Sequence, residues 1–490
     1  FIVACSLPSM FQSSCPLEKR TVGVVHRDDD KLLAGYTLIC NGCETYLLDE
    51  DGRVVHEWRS SREVFTARIL PNGNLLRDGS DNADAVCFQA GGAAGYVEEV
   101  TWDNELVWSF AMQPNTKHLT HHDVCPLPNG NVLVMVWDRL TKDQWIAAGR
   151  RPDLLPHNEA WADTILEIKP EGKSAKIVWR WSIMDHLIQD FESSKSNYGD
   201  VAAHPELFDI NFCAPLGKPG VRNRDLLYEK TKRTNPSGQK PIGMSAAPTG
   251  EKDWNHSNGL SYDPVLDIIA ISLCNPGEVI FVDHSTTTAE AAGHSGGKHG
   301  RGGDILYRVG NPAVSRRGGR TEQTLFSQHS PQIIRDAPGE GNLLLFNNGR
   351  APDRQWSTVE EHKLPEKLGI HEPGPLPAAQ PVWEFGPSQG KSGSFYCTHI
   401  SACQRLPNGN TLICQGPLAI VIEVTPKGEE VWRYVSPVCS TESMVIFARQ
   451  GGQRIAPAGC SFSLFRATKY GREFEGFKGR ALEPQRYLEA

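Results

Sequence analysis

The sequence predicts an all-β fold, a six-bladed β-propeller, and three observations carry that prediction. A unit of two hairpins recurs six times between about residues 33 and 440. The turn quartet Pro-Asn-Gly-Asn sits between apolar runs at 71–74, 128–131 and 407–410, where its Asn and Gly supply the positive-φ positions of tight hairpins. Several units end on Val-Trp-x-aromatic, as at Val107-Trp-Ser-Phe110, Val178-Trp-Arg-Trp181, Val382-Trp-Glu-Phe385 and Val431-Trp-Arg-Tyr434. One such unit cannot bury both faces of its own sheet. Six can, by stacking as blades with the aromatic endings packed between neighbours.

Composition agrees. Forty-six glycines and 33 prolines beside a hydrophobic fraction of 39% suit a turn-rich globular chain and exclude both disorder and long helical bundles. A net charge of -8 without a long Lys/Arg run argues against nucleic acid as the partner. No apolar stretch is long enough for a membrane-spanning helix.

In chain order, an N-terminal extension over 1–32 precedes the propeller at 33–440. The first unit, expected to be four-stranded like the others, is the strand Gly35–Cys40 with the hairpin Thr45–Trp58, turning at Asp51-Gly52. The second runs from Val64–Leu70 through its turn to Gly95–Phe110. The third joins His121–Trp137 to Asp163–Lys173 and Lys176–Trp181. The fourth joins His256–Ser272 to Glu278–His284 and Gly303–Arg308. The fifth joins His329–Phe346 to Pro381–Phe385, and the sixth joins His399–Gln415 to Ile420–Tyr434. A C-terminal segment, 441–490, is expected to pack on the propeller.

Two excursions interrupt the repeats. The insertion at about 182–252 has apolar positions in Ile183–Phe191 that suit a helix, and it is expected to cap one mouth of the propeller, with His186 on a possible lid. The glycine-rich segment Ala291–Gly303 has neither a phosphate-loop lysine nor a following helix, so it reads as a blade loop.

Thirteen cysteines are an odd number, so at least one stays unpaired within the chain. Cys40-Asn-Gly-Cys43 has redox or zinc-knuckle spacing, but no second such pair exists, and it reads as a structural turn or a disulfide. The start at Phe1–Met10 lacks an initiator methionine and fits either a truncated fragment or, the favoured reading, the mature end of an exported, secreted or periplasmic, protein.

The first strand of each propeller blade lines the central channel, so residues at matching positions of several first strands converge. His122 precedes Leu127 by five residues and His399 precedes Leu406 by seven, an even difference that places both on one strand face. His256 and His329 head the corresponding strands of the fourth and fifth units. His121, His204, His284, His294 and His299 fall outside this register, as does His186. A ring of imidazoles allows two chemistries. One histidine can attack an electrophile while the others, with Asn258, stabilise developing negative charge. Four neutral imidazoles can instead bind a divalent metal.

The motifs His122-Asp123, Asp253-Trp-Asn-His-Ser-Asn258, Tyr262-Asp-Pro264, Gln328-His329, Asn347-Asn-Gly349 and Gln404-Arg-Leu-Pro-Asn-Gly-Asn410 together resemble the arylsulfate sulfotransferases, propeller enzymes that use no nucleotide sulfate donor. Asp185-His-Leu-Ile-Gln-Asp190, Asn197-Tyr-Gly-Asp200, His204-Pro-Glu-Leu207 and Asp283-His-Ser-Thr-Thr-Thr288 are similar to an uncharacterised arylsulfotransferase-like subgroup. The resemblance implies that His329 is a nucleophile forming a sulfohistidine, with His122, His256 and Asn258 holding the sulfuryl oxygens and His399 completing the substrate site. It also implies an aryl sulfate donor, a phenolic acceptor and no cofactor or metal. Near the end of the strand after the His-x-Asn motif, the enzymes carry an arginine where this chain has Cys274. A neutral thiol cannot replace a bidentate guanidinium, and Arg350 is the candidate substitute. A four-histidine metal-dependent oxidoreductase or lyase, and a non-catalytic binding propeller, are the alternatives. The glycosylation sequon Asn255-His-Ser257 is expected to be unused, because a glycan there would fill the channel.

Overall fold

A computed structural model describes residues 21–80, 87–88, 90–155, 157–212, 252–350, 353–368, 380–387, 395–441, 444–447, 449–450, 453–454 and 462–489. Six antiparallel sheets form the blades of a β-propeller. Blade II is built from Ala67–Ile69, Leu75–Ser80, Gly95–Val100 and Leu106–Ala111, and blade III from His118–Pro126, Val132–Thr141, Glu159–Glu171 and Ser174–Ser182. Blade IV comprises Ser257–Asp263, Ile268–Leu273, Glu278–Asp283 and Ile305–Val309. Blade V comprises His329–Ile333, Leu343–Asn347, Thr358–His362 and Trp383–Phe385.

The ends of the chain close the ring. Blade I holds Gly35–Asn41, Glu44–Leu48 and Arg53–Arg59, but its first strand is Ala467–Gly471, paired antiparallel to Gly35–Asn41; Arg486–Tyr487 adds to its far edge. Blade VI holds Ala402–Arg405, Thr411–Gln415, Ile420–Val424 and Glu430–Val435, and Gly23–Arg27 joins as its fifth strand. The circle is therefore sealed by two strands drawn from opposite ends of the sequence.

The apolar core is divided among the spaces between blades. Trp58, Val64 and Phe477 lie between blades I and II, and Trp108, Phe110 and Val134 between II and III. Trp179, Trp181 and Ile271 fill the III–IV space, Phe281, Leu306 and Leu345 the IV–V space, and Phe346, Phe385 and Ile422 the V–VI space. Trp432, Tyr434 and Leu48 fill the space that closes the ring between VI and I. The aromatic endings are thus the wedges between blades, with their apolar faces removed from water.

Two polar devices repeat with the blades. In each Pro-Asn-Gly-Asn turn the glycine adopts φ of 82°, 82° or 89° at Gly73, Gly130 and Gly409. The last Asn donates its amide to a glutamate on the third strand, as in Asn74 to Glu99 at 2.6 Å, Asn131 to Glu167 at 2.5 Å and Asn410 to Glu423 at 2.7 Å. Asn342 does the same to Glu361 at 2.5 Å in blade V, although its turn has a different sequence. Neighbouring first strands are also stitched together. Ile69 N–H donates to Tyr470 Oη, Arg68 Nε–H to Val124 O, Leu260 N–H to Asp123 Oδ2, Ile333 N–H to Ser261 Oγ and Arg405 N–H to Gln332 Oε1. Gln404 and Lys469 exchange two such bonds to complete the circle.

The insertion corrects the sequence reading. Ile183–Asp185 forms a single 3₁₀ turn, and Leu187–Ile188 pairs in parallel with Phe208–Asp209, so no helix spans Ile183–Phe191. Ile183, Leu187 and Ile188 are buried, as the apolar spacing required. Gln189 decides the backbone: its Oε1 accepts the N–H groups of Phe191 and Glu192 and turns the chain. The helices among the described residues, such as Lys142–Ala147 and Thr288–Ala291, are short, and none is long and apolar enough to cross a membrane. The remainder of the expected cap, 213–251, lies outside the described residues. Cys40 and Cys43 flank a hairpin turn with Gly42 at φ 62° and form no disulfide with each other; Cys397 and Cys403 are buried thiols.

Candidate functional site

The first strands of blades III to VI begin irregularly. His122, His256, Ser330, Ile400 and Ser401 all have positive φ, between 45° and 84°. Left-handed backbone costs a residue with a Cβ energy, and such strain clusters at functional sites when the surrounding fold enforces it. Bulges accompany it at His121–Val124, Ser257–Gly259 and His329–Gln332, which re-aim the side chains at the strand entrance.

These bulges also revise the histidine register. His121 pairs with Met135, fourth residue of the strand that starts at Val132, and His329 pairs with Phe346, fourth from Leu343. His329 thus has the register of His121, while Ser330 takes the positive-φ place of His122. His399 lies ahead of Ala402–Arg405 rather than on that strand, so strand parity does not describe its direction.

The rings nevertheless gather. Those of His122 and His256 meet edge to face at 4.5 Å between centroids. Phe465 lies 6.3 Å from His122 and 6.4 Å from His329. Burial disfavours a positive charge on His329, and the nearby His256 and His399 add to this, so its pKa falls to about 3. His329 is a neutral imidazole.

Its tautomer follows from its partners. Nδ1 of His329 is 2.8 Å from Asn348 Oδ1 and 3.0 Å from the Ser327 carbonyl. Both are acceptors, so Nδ1 carries the proton and the lone pair is on Nε2. Asn348 is held in turn by donating from Nδ2 to the carbonyls of Cys397 and Ile400.

His256 Nδ1 meets the fully buried Asp253 carboxylate at 2.5 Å, an arrangement that fixes the orientation of the ring. His122 Nδ1 is 2.9 Å from His121 Nδ1, and His121 stacks on Trp137 at 4.1 Å. Gly92 packs on the face of the His122 ring: a Cβ there would come within 2.2 Å of Nε2 and 2.3 Å of Cδ2 and Cε1. Asn258 is buried and donates from Nδ2 to the Gln328 carbonyl at 2.8 Å, tying blade IV to the backbone beside His329.

Arg350 is 4% exposed and lies beside Cys274, donating from Nη1 to Asn275 O at 3.3 Å, while its buried Nε has no hydrogen-bond partner among the described residues. Cys274 N–H itself donates to His256 O. Asn255 of the sequon is buried.

Sequence reading missed Phe465, Arg466 and Arg68. Arg466 donates to Asp123 Oδ2 at 2.5 Å, and Arg68 lies 3.6 Å from Asp123 Oδ1. The available signal was a shortfall: the first unit shows only three strands in sequence, so a fourth had to arrive from elsewhere. His186 is fully buried between Trp181 and Asp304, beside the outer strands of blades III and IV. Its ligating atom, with those of His294 and Asp304, forms the group able to hold a metal ion among the described residues; the four histidines above do not gather their nitrogens that tightly.

Residues 44–435 match the family model described as Arylsulfotransferase (ASST). The arylsulfate sulfotransferase AssT of Lelliottia amnigena is 26% identical over 161 residues, covering 31% of this chain and 26% of the relative. The arylsulfate sulfotransferase AssT of Escherichia coli O6:H1 is 24% identical over 304 residues, covering 59% of this chain and 44% of the relative. The matched chain thus spans less than half the length of either. Among solved structures, a protein of unknown function from Bacteroides caccae aligns with a TM-score of 0.41 at 12% identity, covering 82% of this chain and 94% of that one.

Proposed function

The chain belongs to the arylsulfotransferase family, and from that premise we propose that it moves a sulfuryl group from an aryl sulfate to a phenolic acceptor through His329, with no nucleotide donor. The observation that supports this most is the state of His329. It is neutral, with Nδ1–H committed to Asn348 and Ser327 and the lone pair on Nε2. A nucleophile needs that lone pair, and a ring held from behind does not rotate it away.

In the first half-reaction Nε2 attacks sulfur. The N–S bond forms as the ester S–O bond breaks, and the aryl oxide leaves with the electron pair. The sulfated ring is cationic, and the Nδ1–H bonds to Asn348 and Ser327 stabilise that charge. In the second half the phenolic oxygen attacks sulfur, the S–N pair returns to Nε2 and the phenol's proton is released. His256, polarised by Asp253, His122 and the second N–H of Asn258 donate to the sulfuryl oxygens, where charge accumulates. Arg350 takes over the guanidinium role that Cys274 cannot fill; its proximity to Cys274 and its unpartnered Nε favour that assignment. His399 borders the same site.

The test is intact-mass analysis after brief incubation with an aryl sulfate, in wild type and His329→Ala. One sulfuryl adduct on the wild type, discharged by a phenol and missing from the variant, is the expected result. Absence of both adduct and turnover across a broad donor panel would overturn the reading in favour of a binding propeller.

A further inference from the structure

The segment that the sulfuryl chemistry leaves unused, where the insertion meets the glycine-rich loop of blade IV, brings together two imidazoles and one carboxylate. His186 Nδ1 lies 2.9 Å, and His294 Nδ1 2.7 Å, from the same oxygen, Asp304 Oδ1. His186 Nε2 is 2.8 Å from the Ala291 carbonyl. A carbonyl only accepts, so Nε2 bears the hydrogen and a neutral His186 turns the Nδ1 lone pair toward a carboxylate oxygen. Two electron-rich atoms do not approach to 2.9 Å with nothing between them: either a second ring proton or a metal ion bridges His186 Nδ1 and Asp304 Oδ1. One cation would satisfy both imidazoles and the carboxylate together.

The backbone is built to hold this arrangement. Gly303 N–H donates to Gly293 O at 3.0 Å and Gly302 N–H to Gly296 O, closing the loop at its neck so that His294 and Asp304 flank it. Gly302 is at φ 56°, and a Cβ there would press within 2.4 Å of Gly293 O. A Cβ on Gly303 would come within 2.7 Å of His186 Nε2, and Trp181 stacks parallel to the His186 ring. His186 is fully buried, whereas the His294 side chain is 62% exposed and borders a surface groove of roughly 540 Å³ with Met184, Leu187 and Tyr198. The fixed pair therefore presents two ligands, and a movable third stands beside water.

We propose that His186 Nδ1, His294 Nδ1 and Asp304 Oδ1 bind one divalent transition-metal ion of the zinc class, with water from the groove as fourth ligand. Two imidazoles and one carboxylate select such ions over magnesium or calcium, which prefer all-oxygen sites. Metal–ligand lengths of about 2.0–2.2 Å need ligand atoms roughly 3.3 Å apart around a tetrahedral centre. Both observed pairs, at 2.9 and 2.7 Å, are shorter than this, so metal entry withdraws the exposed His294 and turns the Asp304 carboxylate slightly away from His186. The ion fastens the insertion to blade IV beside that blade's outer strand Ile305–Val309.

Chelator-treated full chain is titrated with Zn²⁺ by calorimetry, in wild type, His294→Ala, Asp304→Asn and His329→Ala. One saturable equivalent is expected in wild type and in His329→Ala, weakened roughly 100-fold or more in the other two. His294→Ala changes an exposed side chain, so its fold is safe even if Asp304→Asn proves unstable. No saturable binding, binding unchanged in His294→Ala, or loss of the equivalent in His329→Ala would each overturn the proposal.

Discussion

Asn348 Oδ1 lies 2.8 Å from His329 Nδ1, and both of the polar bonds that orient this amide, to Cys397 O and Ile400 O, come from the segment leading into blade VI. The orientation of His329 in blade V is thus set through a neighbour's backbone. Asn348→Ala removes the acceptor and frees the ring to rotate. We predict that the rate of sulfuryl incorporation drops on the order of 100-fold, while the rate with Asn348→Ser, which keeps an acceptor oxygen, recovers part of the loss. Rapid-quench intact-mass analysis measures both.

The pH dependence has a definite sign. Burial first, and then the neighbouring His256 and His399, hold His329 down at about 3, against about 6.5 in an unfolded chain. Between those values the unfolded state binds the extra proton, so stability rises with pH. The contribution is fully present above the unfolded value and is lost as pH falls toward the folded one. Urea denaturation across that window shows a steeper loss on acidification in wild type than in His329→Gln. The acid limb of the rate profile above about pH 5 does not arise from His329.

Arg350 is expected to act on the donor's oxygens. Arg350→Ala raises KM for the aryl sulfate about 10- to 100-fold, the value of a charge-assisted hydrogen bond. Arg350→Lys restores less than half of the lost binding free energy, because an ammonium lacks the planar fork. Steady-state kinetics with one donor distinguishes these outcomes; an unchanged KM in Arg350→Ala removes Arg350 from the site.

Asp123 joins four blades through Val124 N–H, Leu260 N–H, Arg466 and the nearby Arg68. Asp123→Ala strands buried cationic charge, and the expected loss is about 3–5 kcal/mol. Arg466→Met in the same background recovers part of it, since the uncompensated charge is then gone. Equilibrium denaturation of the single and double variants provides the measurement.

The sequence by itself determined the blade count, the hairpin turns, the aromatic wedges and the segments that carry His122, His256 and His329. Each depends on signals within a few residues, such as the positive φ of Gly73 or the alternation that buries Trp432. Tertiary structure decided the rest. Ala467–Gly471 became the first strand of blade I because an open ring leaves an unpaired inner edge, and pairing across more than 400 residues leaves no local pattern to read. That same closure delivered Phe465 against His122 and His329 and Arg466 against Asp123. The bulges moved His329 into the register of His121, because a single extra residue reverses the facing that simple alternation would give. Only the folded chain sets Asn348 behind His329 and joins His186 to His294 and Asp304, since each contact links segments whose spacing in sequence carries no information about their distance in space.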